Sequence, residues 1–443
     1  MTQSSTSTSS NERPLSLGVI FLTIFIDLLG FTIIFPLFPA LLDHYLLVDG
    51  HGGVLGWLLT QIDQLAQLAG SHSNYRAVLF GGVLGSLYAF LQFVFAPIWG
   101  SLSDRVGRRS VLLITVTGTT LSYVLWFFSG SFLLFIIARL IGGAFAGNLS
   151  VATAAVADVT SRENRAKGMG IVGVAFGLGF LFGPAIGSVA SFYDLSSGHP
   201  ELTKWGVNPF SLPALISFGF SLINLIWVWL RFRETLNPAE RDKSETMRIR
   251  HPLHELMNAE AGPARRTNWL YFIYNLSFSG MEFSLPFLAA ERFGYQPTDM
   301  FKIFVFLGFV LIFTQGGIVR RAVPRFGEKR VLLTGLMGVC AGIALVGIAS
   351  TSWIFYVGLA AIGIGSGLTN PTISSLVSLY SPSTQQGRML GIFRSLGSLA
   401  RGIGPLVACS LYWWLGGTVT YLAAAAIVVV PWMMALPLPK PEK

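Results

Sequence analysis

The feature that most constrains this chain is a succession of apolar runs, each too long for one helix of a soluble domain to bury. With a window of about 19 residues, they fall near 17–42, 76–101, 110–129, 131–156, 166–192, 209–231, 267–291, 300–320, 331–350, 352–378, 389–414 and 418–438. Each can cross the roughly 30 Å hydrocarbon core of a bilayer as a helix rising about 1.5 Å per residue. In lipid a segment must satisfy its own backbone hydrogen bonds, so the expectation is an all-α, multi-pass membrane protein with about twelve transmembrane helices. With 52% of residues hydrophobic and only 12% charged, little is left to coat a soluble surface of this size.

The basic residues orient the runs. If the head is cytoplasmic, the segments on that side carry 23 Lys and Arg and the opposite side carries four: Arg76, Lys204, Arg292 and Lys302. By the positive-inside rule both termini are then expected in the cytoplasm, most naturally at the cell (inner or plasma) membrane. The net charge of +9 is on this reading a consequence of topology, and no nucleic-acid partner is implied. The polar head, 1–16, lacks the order of a cleaved signal, so the first span is expected to be retained. Both cysteines lie inside spans and all six histidines outside them, so neither a disulfide framework nor an intramembrane metal is suggested.

An internal repeat sets the domain plan. Shifted by about 220 residues, "DRVGRRSVLL" (104–113) falls on "PRFGEKRVLL" (324–333), and a shift of 221 brings Gly183-Pro184 onto Gly404-Pro405. Near the front of each half a shift of 250 pairs Gly30 with Gly280 and Pro36 with Pro286. The difference locates an insertion of about thirty residues in the first outer loop, around 43–75, where apolar residues at 55, 58, 62 and 65 fit a short helix on the membrane surface. The expected domains are a head (1–16), a six-helix bundle (17–231), a charged linker (232–265), a second bundle (266–438) and a tail (439–443). Two parallel-repeat bundles place a substrate site between them near the midplane.

Three stretches carry a family resemblance. "GSLSDRVGRR" (100–109) resembles the loop signature between the second and third helices of the major facilitator superfamily, through Gly100, Asp104, Arg105, Gly107, Arg108 and Arg109. "GLGFLFGPAIG" (177–187), with Gly179, Gly183, Pro184 and Gly187, resembles the fifth-helix motif of its drug:proton antiporters, and "ARLIGGAFAG" (138–147) the fourth-helix arginine motif. The match is nearest to tetracycline:proton antiporters and, through "GMEFSLPFL" and "FRSLGSLARGIGPL", to the animal tetracycline-transporter-like group of organic-anion transporters. The resemblance covers nearly the whole chain. It departs at Pro324, which stands where the repeat would place an aspartate, and at Gly187-Ser188, where a glycine pair is usual. It implies the major facilitator fold, transport rather than catalysis, and a proton gradient in place of any cofactor.

Each motif also has a physical reading. Asp104 and its neighbouring arginines can engage a basic group or a helix end and latch the two halves, or can serve topology alone. The small residues of the fifth helix let helices of the two halves approach closely.

Charges inside the spans are the candidate chemistry. Asp27 and Glu282 are the carboxylates placed well inside, about ten and sixteen residues from the cytoplasmic side and so differing by roughly 8 Å in depth. Either can couple transport to protons by taking one up and releasing it as access alternates, or can form a structural ion pair, for Asp27 most simply with Arg139. Arg139, Arg394 and Arg401 leave the interior with an excess of positive charge. The first-half counterparts of Arg394 and Arg401 are Gly173 and Phe180, so the repeated scaffold does not require these arginines. They fit the recognition of an anionic cargo group, or pairing with carbonyls or Glu282. Tyr271 and Asn275, with the intramembrane amides Gln92, Asn148, Gln315 and Asn370, complete a candidate cavity for amphiphilic cargo.

The expectation is a monomeric, proton-coupled exporter of amphiphilic organic anions or drugs whose partners are cargo, protons and membrane lipid. The alternatives are a tetracycline-like or cationic multidrug:proton antiporter, or a facilitator of lipid or organic anions without proton coupling. No zinc spacing or nucleophile elbow points to an enzyme.

Overall fold

The computed structural model describes residues 17–50, 52–69, 76–160, 165–236, 262–381 and 386–440; the sequence-based assignments for the head, most of the linker and the last three residues lie outside them. The first half contains α1 (Leu17–Thr32), α2 (Phe38–Asp49), α3 (Gly53–Ala69), α4 (Arg76–Val106), α5 (Arg108–Phe127), α6 (Phe132–Phe145), α7 (Asn148–Val159), α8 (Arg165–Ala190), a single turn α9 (Leu195–Gly198) and α10 (Ser211–Arg231). The second half contains α11 (Pro263–Phe293), α12 (Met300–Phe313), a π-turn (Thr314–Val319), α13 (Arg320–Phe326), α14 (Glu328–Ile348), α15 (Ser352–Tyr380) and α16 (Gln386–Ala435).

Ten helical stretches among the described residues are long and apolar enough to cross a membrane, against the twelve runs read from the sequence. Two causes account for the difference. The last two runs form one continuous element, α16, broken only at Gly416 (φ 79°, ψ 167°). The 31-residue α11, which carries Arg265, Arg266, Glu282, Glu291 and Arg292, is not among the ten. The protein is an integral, multi-pass membrane protein.

The repeat reappears in the backbone. Gly107 (φ 111°) and Gly327 (φ 80°) sit between paired helices at equivalent positions of the two halves, in conformations that side chains with a Cβ rarely adopt. The halves meet along two seams, α4 on the first part of α16 and α12 on α8. These seams join the second span to the eleventh and the eighth to the fifth, so the repeat carries one onto the other.

Polar ties define the two ends of the first half. At one end Arg108 meets Asp158, and Glu234 accepts from the Arg108 backbone N–H. At the other, Tyr45 Oη and Asn208 Nδ2 both donate to the Ser129 carbonyl, and Asp49 accepts from Phe132 N–H. The first is here called the basic end. At the opposite end the halves interlock through aromatic knobs and glycine notches, with Phe283 against Gly85, Phe287 against Gly81 and Cys409 against Gly82. The insertion helix α3 packs on α2 and α6, burying Leu55 and Leu59 and exposing Trp57; the side chains at 62 and 65 lie outside the described residues.

Candidate functional site

A cavity of about 510 Å³ lies between α8 of the first half and α11, α12, α15 and α16 of the second. Its walls differ in chemistry. α8 and α12 supply Phe180, Leu181, Leu307 and Leu311, whereas α11, α15 and α16 supply Asn275, Glu282, Ser366, Asn370, Ser374 and Arg401. The cavity continues past Tyr271 to Ser378 and Leu379 at the basic end of α15. Gln315 enters from the π-turn, a local widening of helical pitch that re-aims side chains and often accompanies function.

Arg401 and Glu282 are electrostatic neighbours deep in this space. Arg401 Nη2 donates to Ser398 Oγ at 3.2 Å, one turn away on the same helix. Both residues also line a second, smaller pocket of about 40 Å³, together with Arg139, Gln92 and Tyr88 of the first half. They therefore stand where the large cavity meets the seam between the halves.

Arg139 is held differently. Only 2% exposed, its guanidinium lies 5.0 Å from the Trp126 ring centroid, 5.7 Å from Tyr88 and 5.8 Å from Phe135. A desolvated contact of this kind contributes roughly 1–2 kcal/mol. The ion pair with Asp27 weighed from the sequence is not formed. Asp27 instead accepts a hydrogen bond from Asn148 Nδ2, joining α1 to α7 inside the first half. Asp27 and Asn148 line neither pocket, so the two interior carboxylates are not brought together and Asn148 does not face the cavity.

The amides divide by position. Gln92 Nε2 donates to the Ala146 carbonyl and Asn275 Nδ2 to that of Gly397, so each is partly spent on backbone while its side chain lines a pocket. Arg394 lies on α16 seven residues before Arg401, but its side chain is outside the described residues.

At the basic end, Asp104 pairs with Arg108 Nη1 at 2.5 Å, one turn away, and Arg108 Nε with Asp158 at 3.0 Å. The Glu234 carboxylate accepts from the N–H groups of Arg108 and Arg109 at the start of α5, and Arg109 donates to the Trp229 carbonyl. Each of these ties joins residues of the first half. Arg105 is exposed, and Gly100 stands near Ser150.

The fifth-helix glycines also differ from expectation. A Cβ at Gly179, Gly183 or Gly187 would meet Leu28, Thr32 or the Ile33 carbonyl, so this stripe packs on α1 of the same half and not across the halves. Thr32 Oγ1 bridges the contact, lying 2.9 Å from the Gly179 carbonyl. Where α8 itself comes close to the other half, Leu181 sits on Gly308. Pro184 lies within α8 next to Gly183.

The sequence reading named Asn370 but missed the serines in line with it on α15. Ser366, Asn370, Ser374 and Ser378 follow at one-turn intervals and line the cavity, and their spacing of four within an apolar run was the available signal.

Comparison with known proteins agrees with this architecture. The family described as Major Facilitator Superfamily matches residues 20–325 and 321–443. The chain is 34% identical over 446 residues to "Major facilitator superfamily domain-containing protein 10" of Bos taurus, covering 96% of this chain and 93% of that protein. It is 30% identical to "Tetracycline resistance protein, class B" of Escherichia coli over 75% of this chain and 78% of that one. The crystal structure of the human organic anion transporter MFSD10 (TETRAN) superposes with a TM-score of 0.75 at 32% identity, over 95% of this chain and 98% of that chain. Two repeated bundles around a central cavity and these relatives lead to one conclusion: the chain belongs to the major facilitator superfamily of transporters.

Proposed function

We propose that the protein is a proton-coupled antiporter that exports amphiphilic organic anions by alternating access. The observation that carries this reading is the central cavity, apolar where α8 and α12 line it and bearing its polar groups, among further apolar side chains, on α11, α15 and α16, with Arg401 beside Glu282 at its inner limit. An arginine keeps its charge in a water-poor site, so cargo with a complementary anionic group gains most there. The remaining apolar wall suits the hydrophobic body of such cargo.

Proton coupling falls to Asp27 and Glu282, one in each half. Residues 17–231 and 266–438 act as two rocking bodies joined by the linker 232–265, in a monomer at the cell membrane with both termini cytoplasmic. In that orientation the cavity opens inward, while Phe283, Phe287 and Cys409 close the outer side against Gly85, Gly81 and Gly82. The Asp104 cluster binds the other half only after the inner side closes. The relative named as an organic anion transporter supports the cargo class.

The test is transport by the full-length protein in proteoliposomes offered size-matched organic anions and cations, with and without an imposed pH gradient. Gradient-stimulated movement of anions, diminished in Arg401→Ala, is expected. Unchanged anion transport in Arg401→Ala would overturn the anion reading, and transport indifferent to the gradient would overturn the coupling.

A further inference from the structure

The long sides of the central cavity differ along their whole length. α11 and α15 lie in contact, as do α8 and α12, so each pair forms one side. From α8 and α12 only glycines and apolar side chains reach the space, among them Val174, Phe180, Leu307 and Leu311. The polar groups of the other side keep the helix repeat. On α15 Ser366, Asn370, Ser374 and Ser378 stand four residues apart, and on α11 Tyr271, Asn275 and Ser279 do the same.

Every fourth residue falls on one face of a helix, about 6 Å further along the axis. The α15 strip therefore runs for about 18 Å. Tyr274 of α11 neighbours Asn370 of α15, which sets the two strips side by side at one level. Apolar residues of α11 and α15 flank the strips, so the polar groups form a narrow line and not a polar wall.

This line has hydrogen-bonding capacity to give. Asn275 donates to the Gly397 carbonyl and Ser279 to that of Ala400, which leaves the Asn275 carbonyl oxygen and the Ser279 lone pairs as acceptors. Ser374 and its neighbour Ser375, both half-buried on the cavity, make no hydrogen bond among the described residues. Cargo entering this space displaces water from such groups and has to replace the bonds it removes. An amphiphile polar at one end and hydrocarbon for the rest would lay hydrocarbon against the strips and leave them without partners. It would suit the α8 and α12 side alone.

We infer that the cargo is a rigid facial amphiphile, with hydroxyl or carbonyl groups in a row along one face set on α15 and α11, and a hydrocarbon face set on α8 and α12. The anionic group at Arg401 is taken over from the function proposed above, on which this inference rests for charge but not for shape. Rigidity follows from the spacing. Partners about 6 Å apart are met together at least cost by a frame that already holds that interval, whereas a flexible chain loses more freedom on binding.

Steroid acids separate these features, because cholate carries its hydroxyls on one face and the parent cholanate has the same rings and carboxylate with none. Tritiated cholate bound to the purified full-length protein is displaced by cholate, by cholanate, by the methyl ester of each and by dodecanoate, at measured free concentrations below micelle formation. Cholate is expected to bind more tightly than cholanate or dodecanoate by at least about tenfold, against the order of hydrophobicity. Asn370→Leu combined with Ser374→Ala is expected to narrow the ratio of cholate to cholanate affinity at least about fivefold, whereas a general loss of the cavity weakens both acids alike. The comparison of ligands on the unaltered protein needs no variant. No saturable cholate binding, cholanate or dodecanoate bound as tightly as cholate, or a ratio unchanged in the folded double variant would each overturn the inference. The esters read the charge separately. Cholate bound no more tightly than its ester, with the hydroxyl preference intact, would sink the anion reading and leave the facial one standing.

Discussion

Asn148 Nδ2 donates a hydrogen bond to Asp27 Oδ1, while the Arg139 guanidinium lies among aromatic rings. The interior carboxylate of the first half is therefore partnered by a neutral amide and not by a cation. The difference bears on coupling. Protonating an acid in a buried ion pair strands its partner's charge, whereas an amide, having both donor and acceptor atoms, serves either form of the acid. Asp27→Asn is expected to keep the α1–α7 contact and abolish pH-gradient-driven transport while cargo exchange without a gradient continues. Parallel gradient and counterflow assays on one preparation check this, and retained gradient stimulation would exclude Asp27 from coupling.

Two glycines of α8, six residues apart, make opposite predictions. A Cβ at Gly183 would fall 1.8 Å from Thr32 Oγ1, whereas one at Gly177 has open space. Overpacking of a tight helix contact costs about 1–3 kcal/mol, so Gly183→Ala is expected to lower the unfolding temperature clearly. Gly177→Ala is expected to leave it unchanged or slightly raised. Unfolding temperatures of the two variants in the same detergent decide whether the α1–α8 contact is as close as described.

Closure at the end opposite the basic one rests on the fit of Phe283 and Phe287 over Gly85 and Gly81. Cys409, fully buried beside Gly82, reports on it. In a Cys340→Ser background, Cys409 is expected to resist a water-soluble maleimide. Gly85→Leu, which fills a notch, is expected to prop the seam apart and speed labelling. Labelling that is equally fast in both proteins would mean that this seam does not seal.

The architecture was legible because it is written in periodic features. Apolar runs gave the helices, and the 220-residue repeat anticipated that Gly107 and Gly327 would occupy equivalent turns. What the sequence did not specify was rotation. The spacing of Gly179, Gly183 and Gly187 states that some helix comes close, not which one, and the neighbour is α1. Asp27 and Arg139 are both interior charges, but only the direction each helix turns its side chain decides between an ion pair and what the structure has, an amide-bonded acid and an aromatic-caged cation. The α15 strip of Ser366, Ser374 and Ser378 was passed over because serines in apolar spans commonly bond their own helix, and only the cavity wall shows where these point.

At the basic end, the motif cluster predicts an order of effects. Arg108 is 6% exposed and meets Asp104, Asp158 and Ser103 Oγ, and its own backbone N–H is held by Glu234. Removing its side chain leaves the Asp158 carboxylate, itself 18% exposed, without its arginine. Breaking a buried pair from one side costs roughly 3–5 kcal/mol, and partial exposure of Asp158 places Arg108→Ala toward the lower end. Asp104 is 47% exposed, and a pair so wet contributes at most about 1 kcal/mol. Arg108→Ala is therefore expected to lower the unfolding temperature well below that of Asp104→Asn, which is expected to lie close to wild type. Arg108→Lys restores charge but not the fork that reaches both carboxylates, and should fall between them. Unfolding curves of the three variants check the order. An Asp104→Asn loss as large as that of Arg108→Ala would place the stabilising contact at Asp104 instead of Asp158.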